Sequence, residues 1–317
     1  MENTAGKLKV IYGDWTMGLK GEGFHYIFSY QKGSMESLKK NGKEWIYRSP
    51  MPAFWRAETD NDRGCSFSTR AAMWLGADLF RKFIRISVCV DGSPIEFPSH
   101  PVNNRYSNHE YADSVDLCAT FETCTVPSTE VDVNWHVEAD GRITVRFLYH
   151  GKAGLPELPA LGLRFVMPTK AVGFDYEGLS GETYPDRMAG GVPGVYHIDG
   201  LPVTPYMRPQ DCGVHMDTRW LEVRRATTLN NADPDQEEFT LRFEEAGRPF
   251  AFSCLPFTPE EIENAEHMEE LPPERRTVVT VYAAVRGVGG IDSWGSDVEE
   301  PYHISAEQDH ELIFSMK

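Results

Sequence analysis

The residues best placed to do chemistry lie near the C-terminus, in Gly287-Val288-Gly289-Gly290-Ile291-Asp292-Ser293-Trp294-Gly295. Three glycines in four positions open backbone conformations closed to other residues. They lead into a tryptophan bracketed by small and polar neighbours, so the loop can hold a large flat ring at a surface. That is a common way of gripping the apolar face of a sugar. The competing reading of Trp294 is core packing, the commoner fate of a tryptophan, and the residues alone leave both open. Gly287-Val288-Gly289-Gly290 lacks the spacing of a dinucleotide-binding turn, and no helical pattern follows it.

Two other stretches are rich in polar groups. In Asp60-Asn61-Asp62-Arg63-Gly64 the glycine comes one residue early for a calcium loop, and the twelfth position is Ala71 where such a loop needs Glu. Asp60 and Asp62 instead suit a tight turn that they hydrogen-bond themselves. Residues 177–187 end in Asp186 and Arg187, a pair that either orients a ligand or, as such groups more often do, pins a loop to its scaffold. No serine has the context of a nucleophile elbow, and neither a Cys/His arrangement nor a zinc spacing is present. The ten histidines follow no pattern. Glycosidase carboxylates are not separable from so many acidic residues without geometry. The chain therefore shows no complete catalytic set, and chemistry at Trp294 has to be completed from elsewhere.

The elements that position these residues have a period of two. Val131, Val133, Trp135 and Val137 alternate with polar residues, and after Ala139-Asp140-Gly141 the pattern resumes with Ile143, Val145, Phe147 and Tyr149. If both apolar sets share a face, Val137 faces Ile143 and Trp135 faces Val145 across a three-residue loop with Gly141 in the left-handed position. Glu138 and Arg142 then form a charge pair on the wet side. Further strands are predicted at 24–30, 83–90, 116–124, 161–167, 220–225, 239–243, 250–254, 277–285 and 311–315, separated by Pro and Gly clusters. Many short strands with turn signals between them predict an all-β sandwich. Thr258-Pro259-Glu260-Glu261 reads as a capping box that starts a short helix through about His267, and a second short helix is expected around 70–80. Residues 230–238 mark either a boundary or a surface loop; one extended β domain over 1–317 is preferred.

Composition narrows the function. With 317 residues, 41% hydrophobic and 25% charged, the chain has the make-up of a globular protein with a substantial core. A net charge of −17 argues against nucleic acid and anionic membranes as partners. No apolar run reaches the length needed to cross a bilayer, and the first residues do not read as a signal segment, so a cytoplasmic location is expected. Cys65, Cys89, Cys118, Cys124, Cys212 and Cys254 form no paired spacing and are expected to be reduced, buried thiols.

Four segments together resemble one family. Phe54-Trp55-Arg56-Ala57-Glu58-Thr59-Asp60-Asn61-Asp62-Arg63-Gly64 resembles the "F-W-R-A-P-T-D-N-D-x-G" signature of the C-terminal β domain of the bacterial β-galactosidases of glycoside hydrolase family 2. Gly178-Leu179-Ser180-Gly181-Glu182-Thr183-Tyr184-Pro185-Asp186-Arg187 is similar to "G-L-G-P-x-E-x-Y-P-D-R". Pro205-Tyr206 with Pro209-Gln210-Asp211-Cys212-Gly213 is similar to "P-Y-x-x-P-Q-E-N-G", and residues 287–295 to "G-V-G-G-D-D-S-W-G". All four occur in family order over nearly the whole chain.

The resemblance implies a large antiparallel supersandwich with one or two short helices, in agreement with the strand pattern. It also implies a division of labour. Single-chain members place a (β/α)₈ barrel with the catalytic glutamates before this segment, whereas this sequence begins at Met1, shortly before the first motif. It therefore resembles the small subunit of the two-chain enzymes, in a heterodimer or larger assembly whose catalytic large subunit carries the barrel. On this resemblance Trp294 lines the galactose pocket, and Gly64 borders a mobile loop at the site's edge. The acid/base and nucleophile lie on the partner, as do the Mg²⁺ and Na⁺ of the family; this chain holds neither catalytic residue nor metal. The expected substrates are lactose and other terminal β-galactosides. Two departures stand out: Ile291 replaces an acidic residue, and Glu58 replaces a proline whose loss is expected to loosen the turn. Two rival readings remain, a stand-alone carbohydrate-binding module and an aldose epimerase. The second needs an acid and a base converging in one cleft, with His136, His150, His197 or His215 as candidates.

Overall fold

The alternating segment folds as the hairpin its periodicity predicts. Glu130–Glu138 pairs with Ile143–Tyr149, Val137 opposite Ile143 and Trp135 opposite Val145. The Glu138 amide donates to the Arg142 carbonyl at 3.0 Å, and Gly141 turns the loop at φ +86°. The expected Glu138–Arg142 charge pair is replaced. The sheet continues from the hairpin through His310–Met316 to Phe239–Glu245, and this brings Glu244 within 3.3 Å of the Arg142 guanidinium.

The structure, a computed structural model, describes residues 6–99 and 106–317. Its strands form three antiparallel sheets of six, ten and five strands, so the expected all-β architecture is observed. Each further strand predicted from the sequence is present, its ends shifted by no more than two residues. Strands also form at Leu8–Tyr12, Thr16–Gly21, Ser34–Lys40, Arg48–Ala53, Gly173–Leu179, Pro193–Asp199 and Val214–Thr218. Arg48–Ala53 carries Pro50 and Pro52 and runs at an edge of the five-stranded sheet, the position in which proline removes least from the ladder.

Trp135 joins the layers. Its ring meets Phe28 of the six-stranded sheet at 6.1 Å and Phe165 of the five-stranded sheet at 6.4 Å. One face of the ten-stranded sheet is thus covered by both others. In the five-stranded sheet, Ala160–Met167 and Phe250–Leu255 are buried at every position. Its second face is covered by loops, through clusters such as Ala57, Cys212, Leu255, Phe257 and Ile262.

The helices are short. Thr258 caps the short acidic helix Pro259–Glu263 as predicted, but the helix stops before His267, where Asn264 Nδ2 donates to the Glu260 carbonyl at 2.7 Å. The other predicted helix begins earlier than expected, as two short helices, Asp60–Gly64 and Phe67–Ala71, and residues 75–80 are turns. All six cysteines are free, but only Cys212 and Cys254 are fully buried, and Cys124, in a turn, is exposed. Residues 230–238 form a surface loop tied to Lys43 by Asp233 at 2.7 Å and Asp235 at 3.0 Å.

One feature of strand order positions the site. Arg48–Ala53 and Thr277–Val285 flank Ala160–Met167 on opposite sides, each antiparallel to it, and so run parallel to each other. Ala53 lies opposite Gly162 and Val285 opposite Ala160. Both strands end at the same rim of the sheet, and there they release the loops that carry residues 54–64 and 287–295.

Candidate functional site

Two arginines follow those strand ends, and both reach one carboxylate. Arg56 holds Asp62 in a two-pronged pair at 2.6 and 3.2 Å, and Arg286 reaches the same carboxylate at 3.2 Å. All three side chains are buried. Burial by itself would raise the Asp62 carboxyl, but the Arg56 charge and the Arg56 and Thr59 hydrogen bonds hold it below the usual carboxylate range. Burial likewise opposes the charge of Arg56, and the carboxylates of Asp62 and Asp211 outweigh it and push the guanidinium's pKa up. Asp62 also closes a capping box with Thr59 at the start of the helix Asp60–Gly64. Arg286 continues outward to Glu157 at 2.5 Å and to Asp297, with its guanidinium 3.8 Å over the Phe67 ring.

The glycine-rich loop is fastened to this base through its backbone. The Asp186 carboxylate accepts from the amides of Val288 at 3.0 Å and Gly289 at 2.8 Å, and Arg187 donates to the Gly289 carbonyl. Asn61 Nδ2 donates to the Val288 carbonyl at 2.8 Å, and Arg56 to that of Gly287 at 3.2 Å. Of the two uses open to Asp186 and Arg187, the structure shows the pinning of a loop.

At the tip, Asp292 accepts from the amides of Trp294 at 2.9 Å and Ser296 at 3.2 Å, and from the Ser296 hydroxyl. Asp292 therefore ties the tip together although Ile291 has replaced the acidic neighbour. Trp294 itself is 90% exposed, which rules out the core-packing reading. Gly295 turns at φ +82°, and a Cβ there would stand 2.6 Å from the Gly64 carbonyl oxygen. The two residues singled out from the sequence, Trp294 and Gly64, are thus on adjoining loops. Gly64 lies outside the left-handed region; the left-handed residue of its turn is Ser66, at φ 57°.

The remaining motifs brace the same rim. Tyr184 Oη donates to buried Asp211 at 2.7 Å, and Gln210 Oε1 accepts from the Asp60 amide at 2.6 Å. Glu58 does not loosen its turn: its amide, which a proline would lack, donates to Glu263 at 2.7 Å, and the same carboxylate accepts from Trp55 Nε1 at 3.1 Å.

Chemically, this rim presents a ring and keeps its carboxylates occupied. Asp62, Asp186, Asp292 and Asp297 all bind guanidinium or backbone N–H groups. Among the described residues no group of three His, Cys, Asp or Glu is placed to hold a metal ion. The four histidines weighed for an epimerase go to separate partners. His136 binds Asp116, His150 binds Asp132, and His197 binds Asp175 and Asp199. His215 lies among Phe174, Tyr176 and Phe252, where burial lowers its pKa to about 4. Sequence reasoning missed Arg286, Glu157 and Asp297. The available signal was an arginine set directly between an apolar strand and a glycine run.

The family described as Beta galactosidase small chain matches residues 20–316. The β-galactosidase small subunit of Latilactobacillus sakei is 56% identical over 316 residues, 100% of this chain and 99% of that one. A β-galactosidase of Halalkalibacterium halodurans is 34% identical over 99% of this chain, and one of Streptococcus thermophilus 31% identical over 98%. The chain spans only 28% of the length of each of these two. No helix among the described residues is long and apolar enough to cross a membrane.

Proposed function

Because the chain belongs to the β-galactosidase small chain family, we propose that it completes the galactose pocket of a catalytic large subunit by inserting Trp294. The observation that carries this reading is the presentation of that side chain. Burying a large apolar side chain is worth roughly 1.5–3 kcal/mol, yet this indole stands in solvent on a loop braced by Asp186, Asn61, Asp292 and Gly64. Such bracing sets a ring in place for a contact that this chain does not itself supply.

In the complete enzyme the indole stacks on the apolar face of the galactosyl unit and excludes water. The substrates are lactose and related terminal β-galactosides. Hydrolysis is of the retaining kind, with two carboxyl groups about 5 Å apart serving as nucleophile and acid/base. Both belong to the large subunit, as do the Mg²⁺ and Na⁺ sites. Supporting this assignment, the carboxylates beside Trp294 are engaged in holding loops. A loop hinged at Gly64 forms the movable margin of the pocket, and residues 1–317 act as one β domain.

The test is reconstitution. The purified chain, a purified large subunit and their mixture are assayed on a chromogenic β-galactoside while complex size is followed. Activity is expected only in the mixture, together with a complex. Full activity of this chain alone contradicts the reading.

A further inference from the structure

An exposed apolar ledge continues the rim away from Trp294. Beyond Phe67–Ala71 the chain passes through a single 3-10 turn of helix, Ala72–Trp74, and on through turns to residue 80, leaving Met73, Leu75, Leu79 and Phe80 in solvent, Leu79 at 56% and Phe80 at 74%. Val126, 78% exposed, adjoins them with its amide 3.3 Å from Met73 Sδ. The segment is firmly based. Trp74 is buried, stacks on Phe54 at 5.6 Å and donates to the Pro156 carbonyl at 2.9 Å, and buried Asp78 pairs with Arg164 at 3.0 Å. Contiguous apolar surface of this kind marks an interaction site.

At the ledge's far end, Leu79 forms a wall of a cavity of about 400 Å³ shared with Arg48, Arg164, Arg275 and Arg276. Glu260 and Glu261 also line it, but Glu260 is paired with Arg164 at 2.9 Å, and Glu261 accepts from the Thr258 amide at 2.8 Å. Arg164 is buried and is shared between Asp78 and Glu260. Arg48 and Arg276 lie against the Tyr47 ring, and no described carboxylate pairs with them or with Arg275. Three arginines around one cavity with no carboxylate partner, Arg48, Arg275 and Arg276, in a chain of net charge −17, are a socket for a carboxylate.

We propose that the ledge and this arginine cavity are the docking surface for the catalytic large subunit, which seats apolar side chains on Met73, Leu75, Leu79, Phe80 and Val126 and an Asp or Glu beside Arg48, Arg275 and Arg276. The inference rests on the subunit reading above. Continuity selects this occupant: the segment leading into the ledge carries Gly64, which packs on Gly295, and Arg70, which pairs with Asp297. The ledge therefore starts beside the Trp294 rim and leads to the cavity at the opposite end of the same strands, where Arg48 and Val278 both lie opposite Val166. Chain length selects it as well, since the single-chain relatives contain a further large portion that lies outside this chain. Charge selects an acidic contact at the cavity.

The test uses full-length chain and large subunit. Leu79→Asp with Phe80→Asp, and separately Arg48→Glu with Arg275→Glu, should each raise the dissociation constant of the complex at least tenfold, while the unfolding temperature of the isolated chain is kept. Hydrogen exchange on the unaltered proteins should show residues 73–80 and 272–278 becoming protected in the complex. Wild-type affinity in both variants, or exchange unchanged in both segments, overturns the docking surface and leaves the subunit reading standing. Failure of the unaltered chain to bind the large subunit overturns both.

Discussion

Asp62 and Arg286, 224 positions apart in the chain, meet as a buried ion pair at 3.2 Å. The pair forms because two parallel strands end at one rim, and it closes with Arg56 on the other side of the same carboxylate. The loop that presents Trp294 departs from the residue after Arg286 and is held again by Asp186. Its geometry is thus set by buried charge below and by backbone hydrogen bonds above.

Removing that charge should be severe. Asp62→Asn leaves two buried guanidiniums without their shared carboxylate, a change that typically costs about 3–5 kcal/mol. Thermal unfolding should fall sharply, and the Gly287–Gly295 loop should lose protection in hydrogen exchange. An unfolding temperature equal to that of the unaltered chain would refute the shared-carboxylate account.

The two glycines where the loops adjoin should respond differently to alanine. Gly295→Ala places a Cβ 2.6 Å from the Gly64 carbonyl at a left-handed residue, and the backbone term alone is about 1–2 kcal/mol. Gly64→Ala meets only the Gly295 Cα at 3.5 Å, an ordinary contact. Equilibrium unfolding should show a loss for the first and a change within about 0.5 kcal/mol for the second.

Asp211 predicts a pH dependence. Burial pushes its carboxyl up to about 7, against the opposing charge of Arg56 and the hydrogen bond from Tyr184. A folded pKa above the unfolded value means a stabilising contribution that is complete below about pH 4 and is lost as pH rises toward 7. Denaturant unfolding at steps across that range should show this component declining, and Asp211→Asn should remove it. Asp62, whose pKa is lowered, works in the opposite sense, contributing above the unfolded carboxylate range and losing its contribution as pH falls.

Glu263 is the tie that stands in for the missing proline. Glu263→Ala frees the Glu58 amide and the Trp55 indole N–H together, and each such loss is worth about 1 kcal/mol. Unfolding should show a loss of roughly 2 kcal/mol if the two add. No measurable loss would remove Glu263 from the support of this turn.

Much of this arrangement was legible in the sequence, and the exceptions have physical causes. Alternation located the strands whose one face is buried, such as Glu130–Glu138, because burial writes that period directly. It missed Arg48–Ala53, where two prolines are tolerated only because the strand is an edge. Trp294 was visible from its glycine-rich approach, but only structure decides between a presented ring and a packed one. Arg286, Glu157 and Asp297 were not visible, since their association depends on three separate parts of the chain ending at one rim.

The central claim is that Trp294 serves a pocket completed by another chain. Its most direct test compares Trp294→Ala with the unaltered chain in the reconstituted enzyme, measuring complex affinity together with kcat/KM on lactose and a chromogenic galactoside. The account predicts unchanged assembly and a fall in kcat/KM of at least tenfold. Unchanged kcat/KM in a fully assembled complex would contradict it.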